Sequence, residues 1–505
     1  MRLTVLILAL LILTAFTIPS SAGEPKNVPI KHFIVLIQEN SSFDHFFGTF
    51  PGAKGFPENY SMPVDPSDPR AGRVRPFKLP YPNTISLPHN KKASSIAYNG
   101  GLMNGFIRAG NMYGLNGTLA MGYYDRDTIP LYWNLAEEYV LFDMWFASYR
   151  GGCLQNALYL YAGQMGGYEK ESIPEEGFNL RTIFDELDQK GISWKIYMAN
   201  YDPNANYTDF KARVMLTPKY SQIARNPLLA IPRFVHNKTL NSRIVDLREY
   251  YTDLKQGTLP QVSFVIPSPY CGRSPTDVIL NQYLVVDIVN ALIKSRYWNE
   301  SALLILWIDG GGWADHVTPP TDFGFRVPAI LISPYARRGY IDSEIRDHTS
   351  VLKFIEWLYD LPPLTERDAR ARNLLSAFTF SEPREAVFPV ELAGEPVDSE
   401  RNRVLRGIIT SSYGFMLIGV AFLIISAFFY RVRRKNEELA WAEVREADRV
   451  NIVSLFIASV VAFILVYLIS ILAFNLSVTI AIIISLYAVL AGLLILLAFL
   501  VVMNR

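Results

Sequence analysis

The sequence has very few cysteines: Cys153 and Cys271 are the only two among 505 residues. Two cysteines form at most one internal disulfide, which excludes a small scaffold held together by disulfide bonds. The fold must therefore depend on a hydrophobic core of its own, and a segment of roughly 350 residues is long enough to bury one. The whole chain is also too long for one ordinary domain.

The sequence also lacks an excess of charge of either sign, with 48 Lys and Arg residues against 47 Asp and Glu residues. A nucleic-acid-binding protein usually presents a strongly basic face to its ligand. The charge balance gives no reason to expect such a face. We therefore predict no nucleic-acid partner.

Three C-terminal segments contain no Asp, Glu, Lys or Arg: residues 408–430, 452–474 and 478–502. Each reaches the ~20 residues that a helix needs to cross the hydrocarbon core of a bilayer, so we predict three transmembrane helices. The loop between the first two, residues 431–451, begins with a basic cluster. Basic loops stay in the cytoplasm, which places the large N-terminal part of the chain outside the cell.

The N-terminus independently indicates export. Arg2 precedes a short apolar run, and small residues follow at positions 20–23. This pattern predicts a signal peptide at residues 1–23, and the alternative is a signal anchor that stays in the membrane. We expect an extracellular domain at residues 28–381, a proline-containing and charged stalk at residues 382–407, and a multi-pass location in the cell membrane.

Short apolar runs alternate with helical patterns in the predicted extracellular domain. The runs are bounded by polar or turn residues, which is typical of buried strands. The alternation predicts an α/β fold with a largely parallel sheet, and ligands bind at the carboxyl edge of such sheets. The predicted strands are residues 32–38, 262–266, 302–308 and 329–333, and the predicted helices include residues 180–190, 279–295 and 349–359.

Polar residues follow two of these strands. Glu39 and Asn40 come directly after the first strand, and their oxygen atoms suit a hard divalent cation. Alternatively, Asn40 caps a helix and Glu39 faces solvent. Asp309 begins a turn with three glycines that ends in Asp315 and His316. This turn is either a metal or phosphate site or a turn whose polar side chains bond their own backbone.

A third cluster is the turn Gly151-Gly152-Cys153, which precedes a predicted helix. A helix N-terminus favours negative charge, so a thiol placed there can act as a nucleophile. The alternative is a small buried cysteine that packs as an alanine or serine would.

Five segments of the chain follow one another in a specific order. They are residues 30–55 (IKHFIVLIQENSSFDHFFGTFPGAKG), 98–106 (YNGGLMNGF), 121–163, 259–320 and 326–359. In this order they resemble the phosphoesterase family that contains bacterial phospholipases C and acid phosphatases. The resemblance implies an alkaline-phosphatase-like three-layer sandwich with a mostly parallel central sheet. It also implies hydrolysis of phosphate esters through a metal-held phosphoryl intermediate, with a divalent metal cation as cofactor.

The resemblance assigns roles to single residues. Glu39 and Asn40 stand at the family's metal-binding pair, and Asp309 stands at the second of two adjacent metal-binding acids. Cys153 stands where the family carries a Ser or Thr nucleophile. The other matches are His89 near the phosphate, Asn156 three residues after the nucleophile, Asp315 and His316 after the glycine turn, and His348 before Thr-Ser.

The chain departs from the family pattern at three places. Ile308 occupies the first acidic position, so one expected metal ligand is missing. Cys153 replaces a hydroxyl, and a thiolate prefers zinc over Mg²⁺ or Ca²⁺. Many members have histidine within residues 269–275, where this chain has Arg273. Arg273 either clamps phosphoryl oxygens or lies in solvent.

Two classes of function follow. The first is a membrane-anchored extracellular phosphoesterase of the phospholipase C or acid phosphatase type, whose substrate is a phosphate ester or phospholipid. The second is a catalytically impaired relative that acts as a surface binding or membrane-organising module. Three membrane helices exceed what anchoring requires, which gives weight to the second class, and the missing ligand and the changed nucleophile put the activity in question.

Overall fold

The structure, a computed structural model, describes residues 28–79, 86–214, 217–267 and 278–388. The predicted signal peptide, cytoplasmic loop and three transmembrane segments lie outside the described residues, as do most of the predicted stalk and Arg273. Within the described ranges, no helix combines the length and the apolar character needed to span a bilayer.

The described ranges contain fourteen strands and fourteen α-helices. The strands are β1 His32–Gln38, β2 Met62–Pro63, β3 Arg73–Val74, β4 Phe77–Lys78, β5 Gly122–Tyr123, β6 Val140–Phe142, β7 Trp145–Phe146, β8 Trp194–Met198, β9 Ile244–Asp246, β10 Val262–Ile266, β11 Ser301–Trp307, β12 Ala329–Ile332, β13 Tyr340–Asp342 and β14 Arg346–Asp347. The helices are α1 Phe43–Phe47, α2 Lys91–Tyr98, α3 Phe106–Met112, α4 Pro130–Glu138, α5 Cys153–Ala162, α6 Ile183–Lys190, α7 Phe210–Val214, α8 Pro218–Arg225, α9 Pro232–His236, α10 Lys238–Asn241, α11 Arg248–Gln256, α12 Val278–Ile293, α13 Thr349–Tyr359 and α14 Glu366–Arg370.

Eight of the strands form one central sheet in the order β13-β6-β12-β11-β1-β10-β8-β9. Neighbouring strands are parallel except on both sides of β12, which runs antiparallel to β11 and to β6. The predicted α/β fold with a mostly parallel sheet is therefore confirmed. All seven residues of β11 are buried, and so are six of the seven residues of β1, as expected for central strands covered on both faces.

Helices cover both faces of this sheet, because alternate side chains of each strand point to opposite sides. On one face, Phe33 of β1 packs against Phe354 of α13, and Phe264 of β10 packs against Tyr161 of α5. On the other face, Trp307 of β11 packs against Tyr132 of α4. The described residues thus form three layers, with the hydrophobic core on either side of the sheet.

Candidate functional site

The carboxyl ends of β1 and β11 lie side by side and bring two predicted site segments together. Gln38 is paired with Trp307, so Glu39 and Asn40 emerge beside Ile308 and Asp309. The backbone N–H of Ser41 donates to the carbonyl of Asp309 at 3.0 Å. Residues distant in the sequence therefore meet at one edge of the sheet, as the strand pattern predicts.

The turn after Asp309 needs glycine because its backbone passes close to the backbone of Asn40. Asn40 and Gly311 both have positive φ, at 58° and 59°. A Cβ atom at Gly311 would lie 2.3 Å from the carbonyl oxygen of Asn40, so no larger residue fits. The N–H of Gly311 donates to Oδ1 of Asp309 at 2.9 Å. The turn thereby fixes the buried carboxylate of Asp309 beside Asn40.

Burial raises the pKa of Asp309, and the nearby charge of His89 and backbone hydrogen bonds oppose that rise. His89 is half-buried, and its Nδ1 lies 2.7 Å from the carbonyl of Leu87. The segment that carries His89 rests on the glycine turn, because a Cβ atom at Gly312 would lie 2.8 Å from the carbonyl oxygen of Pro88. His89 and Asp309 are therefore brought together.

Cys153 is the first residue of α5, as the glycine-rich turn predicts. Its side chain is buried, and Sγ lies 3.7 Å from the carbonyl oxygen of Ala224. Asn156 orders the turn before it: Oδ1 accepts from the N–H of Tyr149 at 2.9 Å, and Nδ2 donates to the carbonyl of Gly152 at 3.1 Å. Asn156 thus holds the loop that positions Cys153.

Arg225, the last residue of α8, was not predicted as a site residue. Its Nε lies 2.8 Å from Oε1 of Glu39, and the two side chains are only 1% and 7% exposed. Its guanidinium also donates to Ser221, from Nε to the carbonyl and from Nη2 to Oγ. Since Ala224 contacts Cys153 and its neighbour Arg225 contacts Glu39, the end of α8 links the predicted nucleophile to the predicted metal-binding edge.

His348 lies behind the turn. Its Nε2 is 2.8 Å from the carbonyl oxygen of Ile308, and Trp145 donates through Nε1 to Nδ1 at 3.4 Å. Burial lowers the pKa of His348 to about 4, so the imidazole is neutral at pH 7. With Nδ1 accepting, the hydrogen is on Nε2 and is donated to Ile308. In this arrangement His348 positions the Ile308–Asp309 turn.

Asp315 and His316 belong to a separate buried cluster with Asp44 and Arg326. Nε of Arg326 donates to both carboxylate oxygens of Asp315 at 3.0 and 3.1 Å, and Nη2 donates to Asp44 at 2.8 Å. His316 contacts the other oxygen of Asp44 through Nδ1 at 2.7 Å. Burial raises the pKa of Asp315 to about 6, and the charge of Arg326 opposes this rise.

Three residues of that cluster could hold a metal ion. Asp44, Asp315 and His316 each offer a ligand atom, and these atoms lie within 4.8 Å of one another. Carboxylate and imidazole ligands suit zinc and related cations. Arg326 already supplies one positive charge to both carboxylates.

Two features weaken the predicted site of Glu39, Asn40 and Asp309 as a site for a divalent cation. Ile308 is a buried aliphatic residue where a carboxylate is expected. A cation at ~2.1 Å from Oε1 of Glu39 would lie within about 5 Å of Nε of Arg225. At an effective dielectric constant of 20, the repulsion between +2 and +1 charges at that distance is about 7 kcal/mol. Arg225 therefore opposes metal binding there.

Residues 30–362 match the model of the Phosphoesterase family, which covers most of the chain. The chain belongs to this family, and the resemblance noted in the sequence is confirmed. Membership places it among hydrolases that act on ester bonds.

Among curated proteins, the chain is similar to Phospholipase C A of Mycobacterium tuberculosis, with 29% identity over 71% of this chain and 79% of the relative. It is also similar to Non-specific phospholipase C3 of Arabidopsis thaliana, with 26% identity over 72% of this chain and 76% of the relative. A solved structure of an alkaline phosphatase superfamily protein from Vibrio parahaemolyticus is 14% identical, covers 68% of this chain and 69% of its own, and has a TM-score of 0.34. That score is too low to bear on fold or function.

Proposed function

We propose that this protein hydrolyses phosphate esters, phospholipids among them, with Cys153 as the nucleophile. The observation that carries the proposal is the position of Cys153 at the first residue of α5, next to the end of α8 that contacts Glu39. The helix N-terminus stabilises negative charge on the sulfur and on phosphoryl oxygens bound there. Similarity to proteins named phospholipase C supports a phospholipid or a related ester as substrate.

The roles of the other residues follow from their contacts. Asn156 keeps the 149–152 turn in place, so the sulfur approaches phosphorus in a fixed geometry. His348 holds the turn that carries Asp309. His89 lies near Asp309 and is the residue we propose to exchange a proton with the leaving alcohol. Arg273, which lies outside the described residues, stays a prediction as a phosphoryl clamp.

The divalent cation implied by the family resemblance also stays a prediction. Asp44, Asp315 and His316 supply three ligand atoms for a cation, but Arg326 is paired with both of those carboxylates, just as Arg225 is paired with Glu39 at the predicted catalytic position. No step of the proposed reaction requires either cation. Metal analysis of the purified protein directly measures whether a divalent cation is bound.

Attachment to the membrane is part of the proposal as well. The predicted signal peptide and the three apolar C-terminal segments support a multi-pass protein of the cell membrane whose large domain is extracellular. Such an anchor would keep the domain close to lipid head groups.

The test is the substitution Cys153→Ala. Alanine occupies similar space but forms no covalent phosphoryl intermediate, so hydrolysis of a chromogenic phosphate monoester and of a diester should fall to background. The unfolding midpoint should stay near that of the wild type. Alkylation should inactivate the wild type, and inorganic phosphate should slow that inactivation. Unchanged hydrolysis by Cys153→Ala would rule out the cysteine as nucleophile.

A second candidate function is that of a binding module, and the aliphatic Ile308 at a ligand position favours it. In that case the wild type binds phospholipid vesicles or phosphate without turnover. The double variant with Cys153→Ser and Ile308→Asp restores a hydroxyl and a carboxylate. Hydrolysis by the double variant together with an inert wild type would support the binding module.

A further inference from the structure

We propose that Arg225 is the built-in cation of this site and does the work that a metal ion at Glu39 would otherwise do. The inference rests on the proposed function, because it assigns the positive charge that assists phosphoryl transfer to Cys153. It adds a residue that the family resemblance does not point to.

The charge at Arg225 is permanent and buried. An arginine side chain stays protonated in proteins, and this one is 2% exposed. A buried charge is tolerated when it is paired and hydrogen-bonded, and here Glu39 supplies the pair while Ser221 supplies the hydrogen bonds. The same carboxylate cannot also bind a divalent cation without strong repulsion from the guanidinium.

The geometry places this charge on the residue that follows Ala224, whose carbonyl oxygen lies 3.7 Å from the reacting sulfur. Ala224 and Arg225 are consecutive, and they contact Cys153 and Glu39 respectively. A planar guanidinium can also bind two phosphoryl oxygens at once, which a spherical cation does through coordination.

The reaction then proceeds without a metal at Glu39. As the Sγ–P bond forms, the P–O bond to the leaving alcohol breaks, and the thiol proton is transferred to that alcohol. Arg225 compensates the charge on the non-bridging oxygens. Water then attacks phosphorus, the Sγ–P bond breaks, and one proton of the water returns to the sulfur. The net reaction is ester plus water to alcohol plus phosphate or phosphomonoester.

Metal binding by the purified full-length protein tests the inference independently of activity. Calorimetric titration with Zn²⁺ and with Mn²⁺ should show one more bound equivalent in Arg225→Met than in the wild type. That additional equivalent should disappear when Glu39→Gln is combined with Arg225→Met. If the wild type itself binds one equivalent that Glu39→Gln removes, the inference is overturned.

Activity provides the second measurement. The wild type should keep its hydrolysis rate within about twofold after dialysis against a chelator, and Arg225→Met dialysed in the same way should lose roughly 100-fold or more in kcat. Millimolar guanidinium ion should restore part of that loss. The matched control is Arg233→Met, because Arg233 forms an ion pair with Asp185 away from the site, with Nε 2.6 Å from a carboxylate oxygen. This control should keep wild-type kcat and show no response to guanidinium.

These outcomes separate the two proposals. Hydrolysis that needs Cys153 but is abolished by the chelator and restored by metal would refute the role of Arg225 and keep the proposed function. In the other case, the wild type hydrolyses no ester and Arg225→Met binds one additional metal ion that depends on Glu39. That result would refute the proposed function and support the replacement of a metal ion by Arg225.

Discussion

Removing Arg326 should destabilise the domain strongly, and the cost should depend on pH. Arg326 is fully buried, and its guanidinium contacts the carboxylates of Asp44 and Asp315. It also donates to the carbonyls of Lys54 and Asp143 at 2.7 and 3.0 Å. In Arg326→Met the methionine replaces much of the apolar stem but leaves both carboxylates without their guanidinium partner, and only Asp44 keeps His316. Breaking a buried pair in this way costs about 3–5 kcal/mol.

The pH dependence follows from Asp315. Its pKa is already raised to about 6 with Arg326 present, so the folded state keeps a proton that the unfolded chain loses near its ordinary value of 3.8. Without Arg326 the carboxyl should retain that proton to higher pH. Because a protonated carboxyl needs no cation, the variant should lose less stability at pH 5 than at pH 8.

Urea denaturation of the purified full-length protein, followed by tryptophan fluorescence, measures both effects. The matched control is Arg338→Met, which removes an exposed arginine whose partner is Glu138. Surface pairs contribute about 0–1 kcal/mol, so this control should unfold near the wild-type midpoint at both pH values. A cost below about 1 kcal/mol for Arg326→Met at pH 8, or an equal cost at both pH values, would refute the reasoning.

Three further predictions concern the site, a second buried carboxyl and the membrane topology. Asn156→Ala should lower kcat by roughly tenfold or more with little change in KM, because the turn before Cys153 loses its hydrogen bonds to Asn156 while the substrate contacts remain. Equal changes in kcat and KM would contradict this prediction. Burial and the neighbouring Asp368 raise the pKa of Glu356 to about 9, so stability should fall as the pH rises from about 4.5 towards 9. Glu356→Gln should remove that slope in pH-dependent denaturation. Protease added to intact cells should release the large domain, and cleavage only after lysis would disprove the predicted orientation.

The sequence predicts the central strands well because burial on both faces leaves a continuous apolar run. The predicted strands 32–38 and 262–266 coincide with β1 and β10, and the predicted strand 302–308 is shifted by one residue from β11. The outer strands β9 and β13 have three residues each, which is too short to show an alternation of apolar and polar residues in the sequence. The amino-acid composition of β12 likewise does not indicate that the strand runs antiparallel to its neighbours.

The site is predictable where a residue follows a strand or a glycine turn, as Glu39, Asp309 and Cys153 do. Arg225 and Arg326 carry no such signal, since each is a single arginine whose partners are far away along the chain. Only the folded arrangement shows that Glu39 is paired with a guanidinium. Asp44 lies within a predicted segment, but its role depends on Arg326 and His316, which the strand order brings to it.

The position of β1 in the middle of the sheet has a consequence for synthesis. β1 is hydrogen-bonded to β10 and to β11, yet 223 residues separate its last residue, Gln38, from Val262, the first residue of the earlier partner, β10. At 5–20 residues per second, the ribosome needs on the order of 10 to 50 s to supply that partner. During this interval an apolar strand has both edges unpaired and open to other chains. The domain should therefore fold late, after its C-terminal half has been made, and a chaperone that shields the unpaired strand should raise the yield of folded protein.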